Sequence, residues 1–177
     1  MNRFFIALPV PDDARLLAAR LEAGKLPSAR AAPGPPHVTL RFLGDVRDRP
    51  ALEAAISVAV ANRPALPCVV ESWGAFPNLK QARVLWAGVR APDIEKLVSA
   101  VETATATFGE PVERNRFVAH VTLARLAKLM DARSLLDAHK DALLAKGLLD
   151  RVVLYDSQAT PQGPVYEPLR TWRLGGS

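Results

Sequence analysis

The tetrapeptide His-Val-Thr-Leu occurs twice, at residues 37–40 and again at residues 120–123. Each copy follows the same series: an apolar run with strand character, a Pro-Asp pair and a run with apolar residues at helical spacing. Self-similarity of this kind is the signature of an internal structural repeat. We therefore predict two strand–helix–strand units, at about residues 4–44 and 84–126, within a single domain that spans residues 1–177.

Local signals place the elements of each unit. Acidic residues in the first turn and a following glycine predict a helix from Pro11 to Ala23 that ends at Gly24. The proline-rich segment from Pro27 to Pro36 predicts a loop, because proline removes backbone donors. In the second unit, apolar residues spaced i, i+3, i+4 and i+7 from Ile94 to Val101 predict a helix closed by Gly109.

The last third of the chain predicts one helix and a hairpin. Asp131 to His139 has helical character, and the segment 142–155 fits either a continuing helix or the start of a long strand. Val152 to Tyr155 reads as a strand, and after a turn at TPQGP the run VYEPLRTWRL returns as its partner.

The net charge and the cysteine content indicate which type of partner the protein binds and in which cellular compartment it works. The net charge of +5 favours an anionic partner such as a nucleic acid, although scattered arginines also fit an ordinary solvated surface. A lone Cys68 forms no internal disulfide, which fits a reducing compartment. The apolar N-terminal run is short and broken by Pro9 and Pro11, and no stretch is long enough to span a bilayer. We expect a cytoplasmic protein without membrane contact.

Strand alternation separates the two faces of each repeated tetrapeptide. Side chains of a strand point alternately to opposite faces, so His37 and Thr39 share one face. Val38, Leu40 and Phe42 then point to the other face, toward a core. The second copy behaves in the same way, with its histidine and threonine on one face and its valine and leucine on the other. If the units are related by a pseudo-twofold axis, the two polar faces meet at a groove.

Two histidines and two threonines at one groove suit phosphodiester chemistry. Histidine titrates near neutral pH, so one imidazole can accept a proton while the other donates one. In-line displacement at phosphorus needs a base on one side and an acid on the other, and threonine hydroxyls can hold the non-bridging oxygens.

Two alternatives compete with this interpretation. A histidine can be structural, as we expect for His139, which has no threonine two residues on and which we place on a helix surface. Histidine is also a common metal ligand, but no HxH, HExxH or cysteine pair accompanies these residues.

The chain resembles the 2H phosphoesterase superfamily, which is named for two His-x-Thr-x motifs. It is most similar to the bacterial and archaeal RNA 2',3'-cyclic phosphodiesterases, historically called 2'-5' RNA ligases. The resemblance rests on RFFIALPVPDD, HVTLRFLGDV, GAFPNLKQARVLWAGV, RFVAHVTLAR and VVLYDSQATPQGPVYEPL, in that order. It implies a bilobal α+β fold with pseudo-twofold symmetry, in which two antiparallel sheets flank a central cleft and the helices lie outside.

The same resemblance implies an activity and residue roles. The activity is hydrolysis of an RNA terminal 2',3'-cyclic phosphate to a 2'-phosphate, without cofactor or metal. His37 corresponds to the proton donor and His120 to the proton acceptor, and Thr39 and Thr122 correspond to the phosphate-binding threonines. The chain departs from the family pattern before each motif, with Pro35-Pro36 in place of an Asn-Leu pair and Ala119 in place of a proline.

Further substrate contacts come from arginines and aromatic residues. Arg125 matches a frequent family arginine, but regular alternation puts it on the face opposite His120 unless a bulge intervenes. Arg116 shares the parity of His120. The aromatic residues that could stack on a base are Phe42, Trp73, Phe76, Tyr155 and Tyr166, although alternation assigns Phe42 to the core and Tyr155 ends an apolar strand run.

We expect a monomer that acts on RNA with 2',3'-cyclic phosphate ends, such as fragments of transfer RNA. The reverse reaction would join ends through a 2'-5' linkage. Three alternatives stay open: opening of ADP-ribose 1'',2''-cyclic phosphate, cleavage of 2'-5' linked oligonucleotides, and binding of RNA ends without catalysis.

Overall fold

The computed structural model describes residues 3–112 and 116–175, and these form nine strands and four helices. The strands are β1 (Phe4–Pro9), β2 (Ala29–Ala31), β3 (His37–Gly44), β4 (Leu66–Phe76), β5 (Ala82–Arg90), β6 (His120–Met130), β7 (Leu143–Leu149), β8 (Arg151–Thr160) and β9 (Gly163–Arg173). The helices are α1 (Ala14–Gly24), α2 (Arg49–Val60), α3 (Ile94–Ala104) and α4 (Arg133–Ala138). None of the helices in the described part of the chain is long and apolar enough to cross a membrane.

Aspartates begin the first two helices. The Asp13 side chain accepts a hydrogen bond from the backbone N–H of Arg15 and caps α1, and Asp48 accepts from Ala51 and caps α2. Such caps satisfy N–H groups that have no partner within the helix. The predicted helix ending at Gly24 is confirmed. The second predicted helix ends earlier than expected, at Ala104, and the chain turns through Gly109 only after a further loop.

All strand pairs are antiparallel, and they form one curled sheet in the order β7-β4-β5-β6-β3-β1-β8-β9, with β2 beside β6. The predicted α+β class with antiparallel strands is confirmed. The two expected sheets are continuous with each other, because Val38 of β3 pairs with Val121 of β6 at the centre. These valines occupy the same position in the two HVTL copies, so their antiparallel pairing gives the strands a local twofold relation.

The helices cross between the two halves of the sheet. Helix α1 follows β1 but packs on β6 and β7, and α3 connects β5 to β6 but packs on β3. Their apolar faces cover the side of the sheet that carries Val38, Leu40, Val121 and Leu123, all of which are buried. One hydrophobic core therefore joins both units. The proposed duplication stays a prediction, and residues 113–115 of its second copy lie outside the described residues.

Each HVTL strand contains an irregularity just after its threonine. The register of β1 against β3 shifts between Ile6 and Ala7, and that of β5 against β6 shifts between Leu85 and Trp86. As a result two consecutive residues point into the core in each strand, first Leu40 with Arg41 and then Leu123 with Ala124. Beyond these points the alternation is reversed, which places later residues on the other face than a regular strand would.

In the proline-rich segment the structure differs from the prediction, and in the segment 142–155 it decides between the two predicted alternatives. The proline-rich segment contains the short strand β2, which pairs with β6. The prediction of a loop throughout was wrong there, because Ala29, Arg30 and Ala31 lie between the prolines and keep their N–H groups. The ambiguous segment 142–155 forms strand β7 and the first half of β8, and the predicted C-terminal hairpin is confirmed as β8 and β9.

Arg41 is buried by the irregularity in β3 and ties this strand to the loop after α3. Its guanidinium donates to the hydroxyl of Thr105 at 2.5 Å and to the carbonyls of Phe108 at 3.0 Å and Glu110 at 2.8 Å. Hydrogen bonds to a charged group are each stronger than those between neutral groups. The loop is thus held against the strand that carries the first motif.

Replacing Arg41 by alanine should lower the free energy of unfolding by about 3 kcal/mol, because two carbonyls and one hydroxyl lose a charged donor. Urea denaturation measures this loss. The matched control is Arg83→Ala, which removes an exposed arginine with a single bond to the Ala127 carbonyl and should cost less than about 0.5 kcal/mol. Equal effects of the two substitutions would contradict a clamping role for Arg41.

Candidate active site

The two HVTL motifs meet at one cavity of about 590 Å³ whose lining includes His37, Thr39, His120 and Thr122. The valine pair at the centre of the sheet explains why. On the face opposite these valines, His37 and Thr122 lie to one side of the pair, and Thr39 and His120 lie to the other. The polar groups thus lie side by side on a single sheet face rather than confronting each other from two separate sheets.

Backbone carbonyls hold both imidazoles in the same way. Nδ1 of His37 lies 2.8 Å from the carbonyl oxygen of Pro35, and Nδ1 of His120 lies 2.7 Å from that of Val118. A carbonyl only accepts hydrogen bonds, so Nδ1 must carry the proton in each ring. In the neutral rings Nε2 is then the basic nitrogen, and it is the atom left to exchange protons with a ligand.

Aromatic rings surround each histidine. The His37 ring lies 5.4 Å from Phe5 and 5.6 Å, edge to face, from Tyr166, and the His120 ring lies 5.0 Å, edge to face, from Phe76. These contacts restrict ring rotation and exclude water from one side of each imidazole. They also leave the histidines in partly apolar surroundings.

Burial lowers the pKa of both histidines below their ordinary value of 6.5. For His37 the positive charges of Arg20 and His120 lower the pKa further, and for His120 Arg125 does the same. The hydrogen bonds to the carbonyls act in the opposite direction, because they favour the charged ring. Both imidazoles are therefore neutral at pH 7 in the unliganded protein, and a bound anion would raise both pKa values.

The two threonines offer hydroxyl groups to the same space. Thr39 and Thr122 are half-buried and line the cavity, and no hydrogen bond joins either hydroxyl to another residue within the described ranges. A hydroxyl can rotate to donate to an anionic oxygen. Each threonine can thus bind an oxygen of a ligand held between the histidines.

The strand irregularities correct two expectations based on regular alternation. Regular alternation places Phe42 in the core, but its side chain is 56% exposed and lines the cavity. Regular alternation places Arg125 on the face opposite His120, but it also lines the cavity. The register shifts after Thr39 and Thr122 turn both residues onto the histidine face.

The structure does not bring Tyr155 into the cavity. Its side chain is 4% exposed and stacks on Phe5 at 5.1 Å, behind the His37 ring. The tyrosine that does line the cavity is Tyr166, on β9. Arg116 is exposed and lines an adjoining cavity instead of the central one.

His139 is not the surface residue that we expected. It follows α4, stacks on the buried Trp73 at 4.1 Å, and its Nε2 lies 3.1 Å from a carboxylate oxygen of Glu22. His139 is not among the residues that line the cavity.

Arg20 of α1 also lines the cavity, although only 8% of it is exposed and strand alternation gives no indication of it. It donates to the carbonyls of Ala32 and Gly34, and so it holds the loop whose Pro35 carbonyl fixes the His37 ring. A signal was present in the sequence. The buried residues of α1 include Arg20 between apolar neighbours at i, i+3, i+4 and i+7 spacing, where an arginine is unusual.

A family model described as the 2'-5' RNA ligase superfamily matches residues 9–161. The chain belongs to the 2'-5' RNA ligase superfamily. Two relatives, each named RNA 2',3'-cyclic phosphodiesterase, are similar over most of their length. The protein of Methanocaldococcus jannaschii is 26% identical over 96% of this chain and 99% of its own. That of Aquifex aeolicus is 30% identical over 79% of this chain and 78% of its own.

Solved structures share the superfamily fold. The crystal structure of TT0787 of Thermus thermophilus aligns with a TM-score of 0.83 at 24% identity and covers 98% of both chains. Escherichia coli LigT complexed with 3'-AMP aligns with a TM-score of 0.72 at 23% identity and covers 99% of both chains. The curled antiparallel sheet with its helices is therefore common to this chain and to these structures.

Nitrogen-15 NMR of the histidine rings tests the geometry of this superfamily site. At pH 7 the rings of His37 and His120 should be neutral with the proton on Nδ1, and both should titrate below pH 6.5, because burial lowers their pKa values. The urea-unfolded chain is the control and should titrate near about 6.5. A proton on Nε2 of either neutral ring would contradict the carbonyl contacts.

Proposed function

We propose that this protein hydrolyses the 2',3'-cyclic phosphate at an RNA end to a 2'-phosphate, with the two motif histidines as acid and base. One observation carries the proposal: two imidazoles, each with Nδ1 bound to a carbonyl, share one cavity with two threonine hydroxyls. The names of the relatives in Methanocaldococcus jannaschii and Aquifex aeolicus support the same activity.

His120 acts as the base and His37 as the acid. Nε2 of His120 accepts a proton from water, whose oxygen attacks phosphorus as the bond from phosphorus to O3' breaks. Nε2 of His37 donates its proton to the departing O3', so that no free alkoxide forms. The 2'-phosphate remains, and exchange of protons with solvent restores both rings. The choice of acid and base follows the resemblance to the family.

The low pKa of free His37 does not prevent this role. The cyclic phosphodiester carries a negative charge, and an opposite charge nearby favours the protonated imidazole. Binding of the substrate thus raises the pKa of the acid at the moment when its proton is needed. The hydroxyls of Thr39 and Thr122 donate to the non-bridging oxygens of phosphorus, and Arg20 and Arg125 add positive charge around them.

RNA suits the charge and size of the cavity. The chain carries a net charge of +5, and the cavity has room for a nucleoside beside the phosphate, with Phe42 and Tyr166 available for contact with a base. Fragments of transfer RNA remain candidate substrates. If a 5'-hydroxyl replaces water, the same steps join two ends through a 2'-5' linkage.

A direct test uses an oligonucleotide with a terminal 2',3'-cyclic phosphate in the presence of EDTA. The product should carry a 2'-phosphate, because His37 protonates O3', and the chelator should leave the rate unchanged, since no step requires a metal. Enzymatic end analysis of the product separates the two isomers. A 3'-phosphate product would exclude the assigned geometry, and tight binding without turnover would favour the noncatalytic alternative.

Comparison of substrates separates the related activities. An RNA with a cyclic end should be processed with a higher kcat/KM than ADP-ribose 1'',2''-cyclic phosphate or a 2'-5' linked oligonucleotide. A preference for either of the latter would replace the proposed substrate but leave the acid-base mechanism intact.

Substitution of either histidine by alanine should lower kcat by about 10²- to 10⁴-fold, because each removes a proton-transfer group. The double variant should lose less than the product of the single losses, since acid and base act in the same step. His139→Ala is the control and should retain turnover. Near wild-type kcat in His37→Ala or in His120→Ala would rule out this mechanism.

The pH dependence of kcat/KM should be bell-shaped with its maximum below pH 6.5. This parameter reports the pKa values of the free enzyme, and burial lowers both histidine pKa values. As pH falls the base becomes protonated, and as pH rises the acid loses its proton. A maximum well above pH 6.5, or a profile with one limb, would show that these two groups do not control the reaction.

A further inference from the structure

Arg30 of β2 lies directly across from Arg125 of β6 in the sheet. Residues opposite each other in an antiparallel pair point to the same face, with Cβ atoms about 5 Å apart. Because Arg125 lines the cavity, Arg30 belongs to the face that carries the histidines. Its side chain is exposed, and a Cβ atom at Gly163 would lie 3.2 Å from its Nη1. The guanidinium of Arg30 therefore lies at the rim of the cavity, between β2 and the start of β9.

These two arginines place like charges side by side. Within residues 3–112 and 116–175, neither guanidinium forms an ion pair with an aspartate or a glutamate. Other exposed arginines, such as Arg90 and Arg133, are paired with carboxylates. Like charges directly across a strand pair destabilise a sheet. The fold thus gains nothing from this pair, whereas a bound anion would stabilise it.

Guanidinium groups at this position suit the phosphates of an RNA backbone. Each group presents several N–H donors in one plane and can bind two phosphate oxygens at once. Contacts of this kind fix the position of a strand without reading its sequence. Arg125 lies closer to the histidines and adds charge around the reacting phosphate. Arg30 lies one strand further out, where the next phosphate of the chain would lie.

The position of His37 indicates which phosphate reaches Arg30. On the histidine face, His37 and Thr122 lie on the same side of the central valine pair, and Arg125 follows Thr122 along β6. In the proposed reaction His37 protonates O3', so the ribose of the terminal nucleotide lies on this side of phosphorus. The 5'-oxygen of that ribose carries the preceding phosphodiester, which then extends toward β2.

The opposite end of the cavity is less suited to a phosphate. Its lining there includes the carboxylates of Asp45 and Glu110 beside a single arginine, Arg3. The Glu110 side chain lies against Gly44, at the end of β3. Two negative charges and one positive charge disfavour an anionic strand at this end. The distribution of charge thus agrees with an RNA strand that enters from the side of β2.

We propose that Arg30 binds the phosphodiester that precedes the terminal nucleotide of a cyclic-ended RNA, and that this contact makes the enzyme select an oligonucleotide over a mononucleotide. The inference rests on the proposed function, because the position of O3' sets the direction of the strand. Arg30 is then a specificity-determining residue that takes no part in the proton transfers.

Two substrates with the same terminal base test the proposal. One is a dinucleotide with one internal phosphodiester and a 2',3'-cyclic end, and the other is the nucleoside 2',3'-cyclic phosphate alone. The wild-type protein should show the higher kcat/KM for the dinucleotide. Arg30→Ala should lower that value about ten-fold, mainly through KM, because a charged contact to the strand is lost. The value for the mononucleotide should stay unchanged.

Matched variants and a neutral linkage assign the effect to the phosphate. Arg30→Lys keeps the charge but loses the planar fork, and it should retain part of the preference. Arg173→Ala removes an exposed arginine at the far end of β9 and should change neither value. A dinucleotide with an internal methylphosphonate lacks the negative charge, so its kcat/KM should be equal in the wild-type protein and in Arg30→Ala. The midpoint of urea denaturation should not fall in Arg30→Ala, since a pair of like charges is removed.

Three outcomes of these assays would overturn the proposal. Equal kcat/KM values of the wild-type protein for the two substrates would show that the preceding phosphodiester is not bound. An equal fall for both substrates in Arg30→Ala would assign Arg30 to the reacting phosphate or to the fold. No change for either substrate would leave Arg30 an ordinary surface residue.

A binding measurement separates this contact from the proposed reaction. Calorimetric titration compares 2'-AMP with a dinucleotide that ends in the same 2'-phosphorylated adenosine. The dinucleotide should bind about ten-fold more tightly, and Arg30→Ala should remove the difference. If the difference is found in a protein that hydrolyses no cyclic end, the phosphate contact stands and the proposed reaction fails. Equal binding of the two ligands to the wild-type protein overturns the contact.

Discussion

The pairing of Val38 with Val121 is the contact on which the candidate site depends. It is the point where β3 meets β6, and it joins two half-sheets into one. Because equivalent residues of the two motifs pair in antiparallel direction, the valines share the buried face and the histidines and threonines share the other. A change of register by one residue would turn the polar groups of one strand into the core. The buried valines thus fix the position of the chemistry without taking part in it.

Each strand then departs from regularity immediately after its threonine, and the departure shapes the cavity. In β3 it buries Arg41 and exposes Phe42, and in β6 it buries Ala124 and turns Arg125 toward the histidines. Two buried arginines, Arg41 and Arg20, hold loops that border the cavity. Arg41 holds the loop after α3, and Arg20 holds the loop that carries the His37 carbonyl partner. The two sides of the cavity are therefore anchored by similar contacts from different elements.

Much of this arrangement could be predicted from the sequence, because the signals were local. The period of two in HVTL predicted which side chains share a face, and the repeat predicted that the two copies would meet. The positions of Phe42 and Arg125 could not be predicted in this way. A bulge depends on the partner strand, which is β1 for the irregularity in β3 and β5 for that in β6, and a helix separates each of these partners from its strand along the chain.

Other features were set by tertiary contacts that no local pattern reports. Strand β2 forms because β6 offers it an edge, although prolines flank it on both sides. Tyr155 is an aromatic residue that could stack on a base, yet it is buried in the hairpin of β8 and β9. Tyr166 of the same hairpin lines the cavity instead. The two half-sheets are continuous because Val38 pairs with Val121. The internal repeat in the sequence does not indicate that these two residues pair.

In the proposed mechanism, two imidazoles act on one phosphate from opposite sides. The sharpest test of this arrangement is the stereochemical course of the reaction at phosphorus. A single diastereomer of a nucleoside 2',3'-cyclic phosphorothioate is hydrolysed in oxygen-18 water, and the configuration of the 2'-phosphorothioate product is determined. A base and an acid on opposite sides of phosphorus predict one in-line displacement and hence inversion. Retention of configuration would require two successive displacements through an enzyme-bound intermediate, and it would contradict a site in which His120 activates water while His37 protonates the leaving oxygen.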